Sequence, residues 1–256
     1  MFDISVFVIF HREGTYAISA LASMAELVNK TRAQGLSVEA IALLDRPNDE
    51  TARLVGHNGK WLDDILILDF GDLGLTRNAG VKRARGRYLA FLDGDDLWGS
   101  DWLWAAHAAA NSARLSGEEA IWHPELLFYF YEEDFDRHSV TETPHPSALS
   151  YYFRHVESTS PHFEATALWL NNVWSANIFA SQSIYEAYPY RAVEKERGYG
   201  IEDWSWNIQT YRDAIPHRIV LDTVHLIRVK PTGSLGQSNA ATGLLPHLPP
   251  DFTPWR

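Results

Sequence analysis

Three carboxylates in the segment Asp93–Asp96 (Asp-Gly-Asp-Asp) directly follow an apolar run at Tyr88–Leu92. Crowded carboxylates repel each other unless a cation lies between them, and hard oxygen ligands of this kind suit Mg²⁺ or Mn²⁺ held together with a diphosphate. Gly94 allows the backbone to approach a ligand closely. An acidic turn that caps a helix starting near Ser100 explains the segment equally well, and spacing alone leaves both interpretations open.

A second pair of carboxylates, Glu202 and Asp203, opens a predicted helix in which Trp204, Ile208 and Tyr211 share one face. The helix dipole favours acidic residues in a first turn, so capping is a sufficient explanation for the pair. The alternative is that one carboxylate faces a cleft and acts as a general base.

The elements that position these residues alternate between short apolar runs and helical patterns. The predicted strands are Asp3–Phe10, Val38–Leu44, Ile65–Phe70 and Tyr88–Leu92. A helix after the first strand is predicted to turn one face inward, formed by Ile18, Leu21, Ala22, Ala25 and Val28, and a second helix spans Leu75–Arg85. This order predicts an α/β fold with a mostly parallel sheet, helices on both faces, and ligands beyond the carboxyl ends of the strands.

The second half begins with an aromatic strand at 121–131 and continues with helices and closing strands. The predicted helices are Phe163–Asn172, Gln182–Ala187 and Glu202–Tyr211, and the predicted strands are Ile219–Leu221 and Val224–Val229. We expect residues 1–116 and 117–235 to form two halves of one domain. We expect 236–256 to be a proline-rich tail that is peripheral after Gly243.

Composition excludes several classes of protein. The chain has 256 residues, a formal net charge of −11 and no cysteine, which argues against nucleic-acid coating, disulfide scaffolds and thiolate metal sites. No apolar stretch is long enough to span a bilayer and no leader sequence precedes the first strand, so we expect a cytoplasmic location. Walker, Gly-x-Ser-x-Gly and dinucleotide motifs are absent.

Several segments in the same order resemble the signature of family 2 glycosyltransferases with the GT-A fold. They are Gly74–Gly80, Ala84–Trp98, Asn177–Phe179, Ser183–Tyr185 and Gly200–Trp204. The resemblance implies a Rossmann-like mostly parallel sheet for residues 1–116, which would bind a nucleotide sugar, and a smaller acceptor-binding region in 117–235.

The resemblance also implies roles for individual residues. Asp203 matches the catalytic base of inverting members, and Asp95, with Asp93, matches the ligands of Mn²⁺ or Mg²⁺, which His225 would approach as well. The expected donor-binding residues are His11, Asp45, Arg77, Asn78, Asp93 and Gly94. The expected acceptor-binding residues are Glu202, Trp204 and Trp174.

The implied activity is metal-dependent, inverting transfer of a sugar from a nucleotide-sugar donor to a hydroxyl of a glycan, a lipid-linked glycan or a related acceptor. Cell-surface polysaccharide biosynthesis is the expected context, with possible peripheral association at the inner face of the membrane. The Gln-x-x-Arg-Trp signature of processive synthases is absent, which favours addition of one or a few sugars.

Two other functions remain open from the sequence. A sugar-phosphate nucleotidyltransferase uses a similar sheet and metal but needs a Gly-rich, Lys-containing loop after strand one, which the residues 10–14 do not supply. A catalytically degenerate GT-A domain acting as a carbohydrate-binding or scaffold module is the non-enzymatic alternative.

Overall fold

The computed structural model describes residues 2–136, 147–231, 239 and 241–248. The strands are β1 (Phe2–Phe10), β2 (Val38–Asp45), β3 (Asp64–Leu68), β4 (Gly86–Asp93), β5 (Leu97–Trp98), β6 (Ile121–Phe130), β7 (Tyr151–Arg154), β8 (Phe179–Ser181), β9 (Tyr199–Gly200), β10 (His217–Arg228) and β11 (Leu245–Pro246). The helices are α1 (Tyr16–Ala33), α2 (Asp49–Asn58), α3 (Leu73–Arg83), α4 (Trp102–Leu115), α5 (Ala167–Leu170), α6 (Gln182–Ala187) and α7 (Glu202–Arg212), with 3₁₀ turns at Glu132–Asp136 and Lys195–Arg197.

The main sheet has the strand order β3-β2-β1-β4-β8-β6-β10-β5, and β7 pairs with β6. Strands β3, β2, β1 and β4 run parallel, β8 is antiparallel to both β4 and β6, and β10 is parallel to β6. The predicted α/β fold with a mostly parallel sheet is therefore confirmed. Its parallel strands place their carboxyl ends along one edge, as a βαβ arrangement requires.

Alternate residues of β1 enter two separate cores. Val6 and Val8 pack with α1 and α4 on one face, whereas Phe7 and Ile9 pack with α3, α6 and α7 on the other. Burial on both faces explains why β1 and β2 are nearly continuous apolar runs instead of alternating ones. The prediction of helices on both faces is confirmed.

Two details of the first half differ from the predictions. The buried face of α1 includes Ala17, Met24 and Leu27, whereas Ile18 is 41% exposed, so the predicted face was rotated towards solvent. The short helix α2 was not predicted because it is largely polar. It begins at an Asn48 cap whose side chain accepts a hydrogen bond from the Thr51 amide.

The second half departs further from the predicted elements. The predicted helix at Phe163–Asn172 is reduced to the single turn α5. The two predicted closing strands are one strand, β10, with a bulge between Val220 and Val224 where Asp222 adopts a φ of 59°. A bulge interrupts the alternation of inward and outward residues, which is why one strand resembled two.

The segment Leu244–His247 is packed against the fold, so the expectation of a peripheral tail is wrong for these residues. Strand β11 pairs with β9, and the His247 amide donates to Ser205 Oγ at 2.9 Å. The His247 ring, 8% exposed, stacks on Tyr199. The rest of the predicted tail, apart from Asn239, Ala241–Gly243 and Leu248, lies outside the described residues.

No helix in the described ranges is long and apolar enough to cross a membrane.

Candidate active site

A cavity of about 490 Å³ opens at the edge of the sheet where β1, β2 and β4 end. Its lining combines carboxylates with one cationic side chain and a few apolar groups: Ile9, Phe10, His11, Glu13, Asp45, Gly71, Asp72, Leu73, Thr76, Asp93, Gly94, Asp95 and Lys230. The location beyond the carboxyl ends of parallel strands is the one expected from the alternation of strands and helices.

The turn after β4 brings Asp93 and Asp95 to this cavity. Gly94 lies against β1 so closely that an added Cβ would be 2.4 Å from the Ile9 carbonyl oxygen, and only glycine fits there. The turn is closed by a hydrogen bond from the Asp96 amide to the Asp93 carbonyl at 3.1 Å. Helix α4 begins later, after Asp101, so the acidic turn does not cap it.

Asp96 has a different role from its two neighbours, because it is buried and holds the turn to β10. Its carboxylate accepts a hydrogen bond from the Arg228 amide at 3.0 Å and contacts His225 Nε2 at 3.1 Å. Burial raises the pKa of Asp96 to about 6, although the contact with His225 opposes the shift. The other nitrogen of His225 lies 3.3 Å from Ser175 Oγ.

The expected ligand set of Asp93, Asp95 and His225 is therefore not assembled, since His225 binds Asp96 instead. Across the described residues, no three His, Asp or Glu side chains are grouped closely enough to hold a metal ion. Two carboxylates still fit Mg²⁺ or Mn²⁺, because such ions are commonly held by one or two protein carboxylates together with waters and substrate phosphates. Asp93 and Asp95 supply that donor set at the cavity.

Arg77 connects this cavity to the second pair of carboxylates. Its guanidinium is fully buried, donates from one terminal nitrogen to Asp93 Oδ1 at 2.8 Å, and lies with Nε 3.5 Å from Glu202 Oε1. The rings of Phe91 and Tyr190 each lie 5.7 Å from the guanidinium carbon. An arginine side chain is always charged, so this buried cation holds carboxylates from β4 and α7 together.

The start of α7 orients Glu202 and Asp203. Ile201 precedes them with a φ of 59°, a left-handed conformation that costs a β-branched residue of order 1–3 kcal/mol and is typical of functional sites. Asp203 Oδ1 accepts from the Trp204 amide and Oδ2 accepts from the Asn172 side-chain amide, both at 2.8 Å. The residue at the N-cap of α7 is Ile201, and no side chain caps the helix, so the bond from the Trp204 amide only satisfies a free amide of the first turn. Each Asp203 oxygen keeps a further lone pair for chemistry.

Burial raises the pKa of both carboxyl groups above their ordinary values. Burial, together with the neighbouring Asp203 charge, raises the pKa of Glu202 to about 8. Burial also raises the pKa of Asp203, while the Arg77 charge opposes that shift. Glu202 is 5% exposed and faces Arg77, so its expected contact with an acceptor is not supported by its position.

Replacing Glu202 by glutamine is expected to remove a pH dependence of stability. In the unfolded chain Glu202 ionises near 4.5, whereas in the folded chain it retains its proton to about pH 8. Its contribution to stability is therefore complete below pH 4.5 and is lost as pH rises through 8. The quantity to measure, with urea, is the free energy of unfolding of Glu202→Gln minus that of wild type. This difference should increase by about 2–4 kcal/mol from about pH 5 to about pH 8.5. The same difference for the exposed Glu186→Gln should stay flat, and a flat difference for Glu202→Gln would contradict the assignment.

The predicted donor residues His11 and Asp45 both lie at the cavity. The Asp45 carboxylate accepts hydrogen bonds from the amides of Phe70, Gly71 and Asp72 at 2.7–3.1 Å, and so holds the loop after β3. His11 Nδ1 lies 2.6 Å from the Asp45 carbonyl oxygen. Their contact with a nucleotide stays a prediction.

Asn78, another predicted donor residue, has its amide engaged with the chain. Its side chain donates to the Tyr190 carbonyl at 2.8 Å and accepts from the Tyr190 amide at 2.9 Å. This pair of bonds ties α3 to the segment that carries Tyr190. Asn78 is not part of the cavity lining.

Trp174, expected to offer a face to an acceptor, is a core residue. It is 1% exposed and is stacked between Phe163 at 5.1 Å and the ring of His217 at 4.0 Å. Burial lowers the pKa of His217 to about 3, so this stack is uncharged. The expectation for Trp174 is therefore corrected, because no face is open. Trp204 is partly exposed, but its indole N–H donates to the Leu168 carbonyl at 2.6 Å.

A second cleft, of about 410 Å³, lies in the other half of the domain and reaches Asn172, the partner of Asp203. Its lining is aromatic and polar: Leu127, Tyr129, Phe153, Arg154, His155, Val156, His162, Phe163, Glu164, Ala167, Asn171, Asn172 and Val173. Asn207 donates to Asn172 Oδ1 at 2.9 Å, which orients the Asn172 amide towards Asp203. Tyr129 stacks on Tyr151 with ring centroids 4.9 Å apart.

Sequence reasoning missed Asn172, Tyr129 and Lys230 as site residues. Asn172 and Tyr129 lie in segments that carry no motif, and only the fold brings Asn172 to Asp203. For Lys230 a signal was present, since it is a lysine two residues after β10, the last strand of the main sheet, at the edge where the ligand was expected.

The comparisons with known proteins agree with this architecture. Residues 5–115 match the model of the family described as glycosyl transferase family 2. The structure of S. aureus TarS 1–349 with UDP-GlcNAc superposes with a TM-score of 0.62 at 17% identity, covering 92% of this chain and 61% of that one. The chain thus spans about three fifths of that relative's length. No curated protein sequence matches significantly.

Two further structures share the fold. One is the mannosyltransferase PcManGT from Pyrobaculum calidifontis with GDP-Man and Mn²⁺, with a TM-score of 0.58 at 13% identity and coverage of 90% of this chain and 58% of that one. The other is glucosyl-3-phosphoglycerate synthase from Mycobacterium tuberculosis with Mn²⁺, UDP and phosphoglyceric acid, with a TM-score of 0.55 at 15% identity and coverage of 94% and 75%.

The fold is the one that these GT-A glycosyltransferase structures share. The match over residues 5–115 confirms the resemblance to family 2 glycosyltransferases that the motifs indicated.

Proposed function

We propose that the chain is a metal-dependent, inverting glycosyltransferase that moves a sugar from a nucleotide-sugar donor to a hydroxyl of a glycan or lipid-linked glycan. The observation that carries this proposal is the buried Arg77 guanidinium. It contacts Asp93 at the donor cavity and Glu202 beside Asp203. Arg77 thereby lies between Asp93, at the site proposed for the diphosphate, and the start of α7, where Asp203 is proposed to remove the proton.

On the donor side, the cavity at the ends of β1, β2 and β4 takes the nucleotide sugar. Its lining includes His11 after β1, Asp45 at the end of β2, and Asp93 and Asp95 at and after the end of β4. Mn²⁺ or Mg²⁺ held by Asp93 and Asp95 would offset the negative charge that develops on the leaving diphosphate. The Mn²⁺ in two relatives of the same fold supports this choice of ion.

Asp203 is the general base of the proposed reaction. The acceptor hydroxyl gives its proton to an Asp203 oxygen while the hydroxyl oxygen forms a bond to the anomeric carbon. At the same time the bond from that carbon to the diphosphate oxygen breaks, and the diphosphate takes the bonding electrons. A single displacement of this kind inverts the anomeric configuration. Burial, which raises the pKa of Asp203, makes the carboxylate a stronger base.

The acceptor occupies the second cleft in this proposal. Asn172 lies in the cleft wall and donates to Asp203, so a hydroxyl bound there is beside the base. The stacked Tyr129 and Tyr151 offer aromatic surface of the kind that packs against sugar rings. We place the activity in cell-surface polysaccharide biosynthesis in the cytoplasm, at or near the inner face of the membrane.

Calorimetry with Asp95→Asn tests the donor site. Wild type should bind one of UDP, GDP, CDP or dTDP more tightly with Mn²⁺ than with EDTA. In Asp95→Asn, the gain in nucleotide affinity that Mn²⁺ provides should be at least about tenfold smaller. Removal of an outer-shell partner of a metal ion already lowers metal affinity by about tenfold or more. Asp101→Asn changes an exposed aspartate paired with Lys30 and serves as the control. Equal affinity with and without chelator in wild type would refute metal-assisted donor binding.

A further inference from the structure

Among the described residues that line the donor cavity, Lys230 is the one lysine or arginine, and it binds a carboxylate there. Its ammonium forms an ion pair with Asp95 Oδ2. Both side chains are largely enclosed, with 15% of Lys230 and 19% of Asp95 exposed. Arg228, two residues earlier, donates from Nε to the Asp95 carbonyl at 3.0 Å, which fixes the backbone beneath the pair.

The charge balance of the cavity gives this ion pair a role beyond packing. The lining carries five carboxyl groups, those of Glu13, Asp45, Asp72, Asp93 and Asp95, against the single ammonium of Lys230. A diphosphate that enters such a cavity is repelled unless cations meet it. Asp45 and Asp72 have backbone partners of their own, whereas Asp95 presents its carboxylate to Lys230.

We propose that Lys230 is a phosphate-binding residue of the donor site and that it competes with the divalent cation for the Asp95 carboxylate. Without ligand, the ammonium holds Asp95. When a divalent cation binds Asp95, Lys230 is released to the diphosphate. Lysine suits this exchange because its charge is compact and its four-carbon stem is flexible. This inference rests on the proposed function, since it assumes that the cavity binds a diphosphate.

Lys230→Met tests both parts of the proposal, because methionine keeps most of the stem and removes the charge. Mn²⁺ alone, titrated by calorimetry, should bind Lys230→Met about tenfold more tightly than wild type, since the competing ammonium is gone. Inorganic pyrophosphate, titrated in the presence of saturating Mn²⁺, should bind the variant about tenfold more weakly. Lys82→Met serves as the matched control, because Lys82 is exposed in the last turn of α3, far from the cavity end of that helix.

The outcomes separate this inference from the proposed function. Unchanged Mn²⁺ affinity in Lys230→Met overturns the competition, and unchanged pyrophosphate affinity overturns the phosphate contact, even if wild type binds nucleoside diphosphates with Mn²⁺. Failure of wild type to bind any nucleoside diphosphate overturns the proposed function as well. Lys230→Gln repeats both titrations if thermal melting shows that the methionine variant does not fold.

Discussion

Replacing Asp203 by asparagine is expected to reduce turnover by about 10²–10⁴-fold while donor binding is retained. Asparagine has nearly the same size and still accepts a hydrogen bond, so the start of α7 should persist, but it cannot take a proton at neutral pH. Initial rates with saturating donor, together with calorimetry of nucleotide binding, measure the two effects separately. Because Asn is as good a helix cap as Asp, a residue that only capped α7 would lose little in either assay.

Asp213→Asn is the matched control for this experiment. Asp213 is an exposed aspartate that follows the same helix and pairs with Arg212 at 2.7 Å. Its replacement should leave turnover unchanged. Near-normal turnover in Asp203→Asn would refute the base assignment, as would a product that retains the anomeric configuration of the donor by NMR.

Replacing Arg77 by methionine is expected to destabilise the fold by about 3–5 kcal/mol, because removing one partner of a buried ion pair leaves the charge of Asp93 uncompensated. The guanidinium is fully buried beside Asp93 and Glu202. Loss of its charge should also raise the pKa of Asp203, since Arg77 opposes the effect of burial there. Urea unfolding gives the first effect, and the acidic limb of the pH–rate profile gives the second.

Arg197→Met provides the comparison for Arg77. Arg197 is exposed and pairs with Glu194 at 2.6 Å. Surface ion pairs are worth about 0–1 kcal/mol, so this variant should unfold close to wild type. A loss for Arg77→Met no larger than that for Arg197→Met would show that the buried guanidinium does not hold the carboxyl groups together.

The half of the fold formed by residues 1–116 was predictable because its signals are local. The three buried strands β1, β2 and β4 are continuous apolar runs, and the acidic turn follows β4 directly, so the position of Asp93 and Asp95 could be derived from strand order alone. The glycine between them was interpreted as a place for a ligand to approach. The structure shows that the close approach is made by β1 itself.

The half formed by residues 117–235 was less predictable because its structure depends on contacts between residues distant in the chain. Nothing in the sequence distinguishes Trp174, enclosed by His217 and Phe163, from an aromatic residue at the surface. The pairing of His225 with Asp96 joins residues 129 positions apart and withdraws His225 from the expected metal set. The packing of His247 on Ser205 could not be foreseen from a proline-rich segment without periodicity.

The contact between Gly94 and β1 has a consequence for how such an enzyme can be diversified. An added Cβ at Gly94 would lie 2.3 Å from Phe10 Cδ1, so position 94 in the lining of the donor cavity tolerates no side chain. The edge strand β7, in contrast, exposes Tyr151, Tyr152 and Phe153 and borders the second cleft. Directed evolution of acceptor preference should therefore draw its beneficial mutations from β7 and its surroundings, and libraries randomised at the donor turn should return mostly wild-type glycine.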